Sequence, residues 1–251
     1  MAGHSHSANI ARRKGAVDAK RGKVFSKLAR AIISAARQGG GDPDANLKLR
    51  YAIDKARASN VPKDTIERAI QRGSGSKDSD AFEEVIYEGY GPGGIALMVA
   101  CLTDNRHRTS PDVKHIFDRS GGNLGSPGSV AFMFGLKSVI ALDLAGRSED
   151  QMTELALEVG ADDVEIDGET AILTAGPTEF LPLKAALDKS GNKAVSAELA
   201  YVPASRIPVA DKEDARKVLK LIEALEDNDD VQNVYANYDM PAEWIDELAG
   251  A

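Results

Sequence analysis

At residue 73 the chain changes its charge and its hydrophobic period together, so one uniform architecture cannot serve both halves. The first 72 residues carry sixteen Lys and Arg against six acids, a surplus of ten positive charges. The remaining 179 carry fifteen bases against 33 acids, a surplus of eighteen negative charges, and the net charge of −8 conceals the split. Before residue 73 the apolar residues recur at helical spacing; beyond residue 80 they alternate or run in short blocks. Between them, Gly-Ser-Gly-Ser-Lys-Asp-Ser-Asp at 73–80 reads as a linker. A compact cationic unit on an acidic body suits a polyanionic partner while the body stays soluble. Docking of the basic unit on its own acidic domains is the competing use of the same charges, and the two are compatible.

The basic unit reads as three short helices behind a basic arm, residues 1–15. The first helix spans about 17–38 and ends at Gly39-Gly40-Gly41. Val24, Phe25, Leu28, Ile32 and Ala36 share one face of it, and Lys20, Lys23, Lys27, Arg30 and Arg37 another. Helices over about 44–59 and from Pro62 to Gly73 complete a small bundle. Past the linker, strands are expected at 84–90, 95–102 and 129–134, with a helix from Ser110-Pro111 to Arg119. Residues 137–203 follow the order β-α-β-β-α-β, the ferredoxin-like arrangement. An amphipathic helix at about 211–226 and a strand at 231–238 return after it. The expected fold is multidomain α and α+β: a basic helical domain with its arm (1–76), a middle α+β domain (77–134 and 207–251) and an inserted ferredoxin-like domain (135–206).

Most chemical motifs fail on context. Gly89-Tyr90-Gly91-Pro92-Gly93-Gly94 matches a dinucleotide fingerprint in letters, but a strand follows where the mechanism needs a helix N-terminus. The glycine-rich stretch 121–129 lacks the Lys-Ser/Thr ending of a P-loop, though its amides could face a phosphate. His4 and His6 have no third ligand in view, and Glu226-Asp227-Asn228-Asp229-Asp230 lacks the features of a calcium loop and reads as a solvated helix end. Cys101, the only cysteine, lies in an apolar run and reads as a buried hydrophobe; no metal, cofactor, catalytic residue or small-molecule substrate is expected. No apolar run is long enough to span a bilayer and no secretory signal is visible, so a cytoplasmic protein with no membrane partner is expected. Phosphate contacts are assigned to Arg12, Arg13, Lys14, Lys20, Arg21, Lys23, Lys27 and Arg30. Arg106, His107 and Arg108, in a strand-to-helix loop, are secondary candidates, with local pairing to Asp104 or Asp112 as the competing reading. Residues 137–203 hold five bases against thirteen acids and only Phe180 and Tyr201 as aromatics, which argues against RNA reading through that sheet.

Long motifs carry a resemblance: Met1-Ala2-Gly3-His4-Ser5, Asp18-Ala19-Lys20-Arg21-Gly22-Lys23, Pro62-Lys63-Asp64, Tyr87-Glu88-Gly89-Tyr90-Gly91-Pro92-Gly93-Gly94, Thr103-Asp104-Asn105-Arg106, and Ala224-Leu225-Glu226-Asp227 leading to Val231-Gln232-Asn233-Val234-Tyr235. Together they resemble the YebC/PmpR family over nearly the whole chain. The resemblance implies a helical domain with two intertwined α+β domains and a non-enzymatic protein. It also implies either DNA binding in transcription or action on translation at the ribosome. The chain departs from the family pattern at His6-Ser7, where Lys-Trp is common, at Ala11-Arg12, where Lys-His is usual, and at His107, where Asn is usual. The expected reading is a nucleic-acid-binding regulator of gene expression, DNA or ribosomal RNA being the partner, with a protein-interaction adaptor as the alternative from another class.

Overall fold

In the computed structural model, residues 21–75 and 82–249 are described. Three helices open it: α1 (Arg21–Gly39), α2 (Leu47–Ala58) and α3 (Lys63–Gly75). Leu28, Ile32, Ile33 and Ala36 of α1 bury against Leu49, Ile53 and Ala56 of α2 and Ile66 and Ala69 of α3. The buried Asn46 starts α2, accepting from the Leu49 amide at 3.1 Å and donating to the carbonyls of Ala35 and Gly40 at 2.8 Å each. Helix α3 runs two residues past Gly73, into the stretch read as linker. Gly73 is a contact point: a Cβ there would lie 2.5 Å from the Ile33 carbonyl oxygen and 2.7 Å from the Ala36 Cβ, so its absence lets α3 approach α1.

The middle sheet has the order β3-β1-β2-β9, from β1 (Glu83–Tyr90), β2 (Ala96–Thr103), β3 (Asn123–Leu124) and β9 (Val231–Ala236). β1 and β2 pair antiparallel, joined by a 3-10 turn at Pro92–Gly94 whose Gly93 (φ +71°) and Gly94 (φ +74°) adopt the left-handed conformation. One face, with Val85, Leu97, Val99, Cys101 and Val234, packs under α4 (Arg106–Arg119) and α7 (Lys212–Asp227). Helix α8 (Ala242–Ala249), not anticipated from the sequence, adds Ile245, with Trp244 and Leu248 packed beside it.

The second sheet, order β5-β6-β4-β7, is built from β4 (Phe134–Asp143), β5 (Asp163–Asp167), β6 (Thr170–Ala175) and β7 (Ala194–Pro203), each neighbouring pair antiparallel. Helices α5 (Glu149–Val159) and α6 (Phe180–Lys189) cover one face, over Ile140, Leu142 and Leu173. The opposite face meets the middle sheet: Val139, Ile172 and Ala200 pack with Ala96, Met98 and Tyr235. A short parallel pair, β8 (Ile207–Pro208) with β10 (Tyr238–Asp239), lies where the chain returns from this unit to the middle one.

One expected strand is absent. Residues 129–134 form a 3-10 turn at Ala131–Met133, and Phe134 is already the first residue of β4. The cause is Glu88, a buried carboxylate on β1 that accepts from the amides of Gly128 (2.6 Å), Val130 (2.8 Å) and Ala131 (2.8 Å). Those amides, drawn to one side chain, are unavailable to a β-ladder.

Candidate nucleic-acid interface

Helix α1 carries the described part of the basic face, and that face is turned onto the body. Lys27 Nζ lies 2.5 Å from the Glu226 carbonyl oxygen and Lys23 Nζ lies 3.2 Å from that of Asp227. Arg30 donates to the Asp229 carbonyl at 3.1 Å and to the Asp230 carboxylate at 3.2 Å. Glu226 and Asp227 are the last residues of α7, whose terminal carbonyls have no partner within the helix and carry its negative dipole end. The lysines of one helix therefore cap another. The acidic run read as a solvated helix end is thus a docking surface. The signal was present in its charge, opposite to that of α1, but periodicity along one helix does not say which way that helix faces.

Asp230 is the centre of this junction. Besides Arg30, its buried carboxylate accepts from Arg108 Nη2 at 2.8 Å, Thr109 Oγ1 at 2.7 Å and Thr103 Oγ1 at 3.3 Å, while its carbonyl accepts from the Leu102 amide at 2.7 Å. Burial pushes the carboxyl up, but the bonds from Arg108 and Thr109 and the charges of Arg108 and Arg30 outweigh it and hold its pKa below the ordinary value. The pKa of Lys27 is lowered too, which for an ammonium disfavours the charged form. Burial lowers its pKa, and the surrounding Glu226, Asp229 and Asp227 only partly offset that.

Arg12, Arg13, Lys14 and Lys20 lie outside the described residues, and of Arg21 only the backbone, opening α1, is described. The arginine segment is the first turn of α4, which begins a turn earlier than expected because Asn105 caps it, accepting from the Arg108 amide at 3.1 Å. Arg106 and His107 are exposed there, and Arg108 pairs with Asp104 at 2.9 Å as well as with Asp230. Between bundle and body lies a polar cleft of about 630 Å³, lined among others by Ser26, Arg30, Arg72, Arg108, Asp112 and Asp229.

The remaining motifs resolve on geometry. Four amides of the glycine-rich stretch are already taken within the chain: Gly122 donates to Phe117, Gly125 and Gly128 to Glu88, and Ser129 to Ser126. Phe180 is buried edge-on against Tyr51 of the bundle, ring centroids 4.7 Å apart, and Tyr201 meets Tyr235 at 5.4 Å. Phe180 and Tyr201 are thus spent on contacts with other parts of the chain. Cys101 is buried and its thiol is pushed up to about 12, chiefly by desolvation, so it carries no thiolate at neutral pH. Among the described residues no cluster of three or more His, Cys, Asp or Glu is placed to hold a metal, and no helix is long and apolar enough to cross a membrane.

Comparison with known proteins agrees with this architecture. Family models described as the TACO1/YebC protein N-terminal domain and the TACO1/YebC second and third domain match residues 5–76 and 82–238. A relative from Rubrobacter xylanophilus, named "Probable transcriptional regulatory protein", is 48% identical over the full length of both chains. One of the same description from Photorhabdus laumondii is 53% identical over 99% of each. The crystal structure of a conserved hypothetical protein from Aquifex aeolicus superposes with a TM-score of 0.83 at 47% identity, covering 90% of this chain and 93% of that one. The chain belongs to the TACO1/YebC family.

Proposed function

We propose that this protein is a non-enzymatic, cytoplasmic, nucleic-acid-binding regulator of gene expression, with DNA as its first partner and structured ribosomal RNA as the alternative. The observation that carries the reading is the segregation of charge: ten surplus positive charges in the first 72 residues of an acidic chain. The names of its relatives support the regulatory part. In this reading the arm bases Arg12, Arg13, Lys14 and Lys20, with Arg21, Lys23, Lys27 and Arg30, contact the phosphate backbone, and Arg106, His107 and Arg108 form a secondary contact. The domains are residues 1–76, 77–134 with 207–251, and 135–206, the last a ferredoxin-like insertion, a reading supported by the strand order and by separate apolar cores.

Phosphate contacts position a protein without reading sequence, so the test is electrostatic. With about five phosphates neutralised, log K for duplex DNA falls against log salt with a slope of about −4.5. Replacing Arg12, Arg13 and Lys14 with Ala flattens it by about 3, roughly one per lost contact. An unchanged slope in that variant moves the site off the arm, and no binding at 50 mM salt sinks the reading. Gradient sedimentation of lysate with and without nuclease separates the partners: co-migration with ribosomal particles selects RNA, and nucleoid association selects DNA.

A further inference from the structure

The docked lysines and the proposed phosphate contacts are the same groups. Where they lie, Lys23, Lys27 and Arg30 already spend donors on the carbonyls of Asp227, Glu226 and Asp229 and on the Asp230 carboxylate, and Lys27 is half-buried, so a nucleic-acid backbone must compete with the turn for them. A polyphosphate brought to that face would also stand beside Glu226, Asp227 and Asp229, which repel it. We propose that the turn between α7 and β9, residues 226–230, is an internal competitor for the polyphosphate-binding face of α1, so that a nucleic acid engages α1 only when the helical bundle leaves the body. The inference rests on the nucleic-acid reading above and adds its regulation.

Three further observations favour release over a permanent weld. Beside the apolar contacts of Tyr51 with Phe180 and of Phe82 with the bundle core, the bundle is held by polar, partly exposed pairs: Lys184 with Asp54 at 2.9 Å, Lys55 with Glu198 at 3.4 Å and with Asn233 at 3.1 Å, and Lys48 with Glu84. Interfaces of that composition permit domain motion. Among the described residues, the cleft beside Arg30 leaves the junction incompletely packed. Burial also destabilises the Lys27 ammonium in the docked position, a cost that release removes. A polyanion thus trades a partly desolvated lysine on neutral carbonyls for one on phosphate oxygens, a stronger charge-assisted pairing.

The two states predict opposite responses of the turn. In the full chain, amide hydrogen exchange is measured at 226–231 with and without a 24-base-pair DNA duplex, and in parallel with an RNA hairpin. Release predicts faster exchange there on binding, because Lys23, Lys27 and Arg30 leave. The variant Glu226→Gln/Asp227→Asn/Asp229→Asn weakens the competitor and binds about five- to tenfold more tightly at fixed salt, within the ordinary range of coupling between sites. A control, Glu154→Gln/Glu158→Gln/Asp188→Asn, removes three exposed acids far along the chain from the turn, with no described contact to α1, and separates competition from general charge reduction. Equal gains in the two variants, or binding with unchanged or slower exchange at 226–231, overturn the competitor and leave nucleic-acid binding standing. Absence of binding to either probe by wild type and variant alike overturns the functional reading and the competitor with it. Faster exchange with DNA only, or with RNA only, identifies which polyphosphate releases the bundle.

Discussion

Glu88 shows how much one buried side chain decides. Desolvation raises its pKa, but the three amide donors of Gly128, Val130 and Ala131 outweigh it and the folded pKa lies below the ordinary value of 4.5. The sign follows: the folded state holds the ionised form more firmly, so this stability is present above the unfolded pKa and lost as pH falls through the folded one. Glu88→Gln puts an NH₂ group where one oxygen accepted and leaves amides unpaired. We expect a loss of about 1.5–3 kcal/mol in urea unfolding at pH 7, shrinking toward zero as the pH drops below 4. A loss that stays constant with pH excludes the charge as the cause. None of this was legible in the sequence, where Glu88 sits in a strand with no local partner and its three donors lie about forty residues on. By contrast, Cys101 was legible from its apolar neighbours alone. Local pairing of Arg108 was half legible: Asp104 is one helical turn away, whereas Asp230 is 122 residues distant.

At the scale of elements, the bundle, the strand pair β1–β2 and the β-α-β-β-α-β order were legible because each has a clear hydrophobic period. The errors fall where tertiary contact overrides that period. Gly73 looked like a helix stop followed by a linker, yet α3 continues through it and presses its bare Cα against α1. The two interpretations predict opposite signs for Gly73→Ala. At a frayed helix end Ala stabilises, by up to about 1 kcal/mol. In the observed packing the new methyl meets the Ile33 carbonyl oxygen, and we expect a loss of about 1–3 kcal/mol, read from the urea midpoint. A stabilised variant would mean that α3 does not pack as closely as described. Helix α8 was missed although Trp244, Ile245 and Leu248 share a helical face after Pro241; eight residues offer too few repeats to stand out from a polar tail.

Across the whole molecule, the two sheets lie face to face, and the second α+β unit has two apolar surfaces: one under its own helices, the other against the middle sheet. The first is a complete core, so an isolated 135–206 fragment is expected to unfold cooperatively in urea. The second leaves Val139, Ile172 and Ala200 bare in that fragment, so it is also expected to self-associate, visible in sedimentation equilibrium as a mass above the monomer. A monomeric fragment with a flat, non-cooperative transition would contradict both halves of this assignment. The same layout imposes an order on biosynthesis. Strand β2 gains its second neighbour only from β9, and 127 residues separate the end of one from the start of the other. At the usual pace of translation that interval lasts roughly 6–25 s. Throughout it the apolar run Ala96–Thr103 has one unpaired edge on the nascent chain, the exposure that recruits intruding strands. The bundle and the second α+β unit can form while the ribosome is still working. The middle sheet closes last, so it is the part of this protein for which a chaperone would matter most.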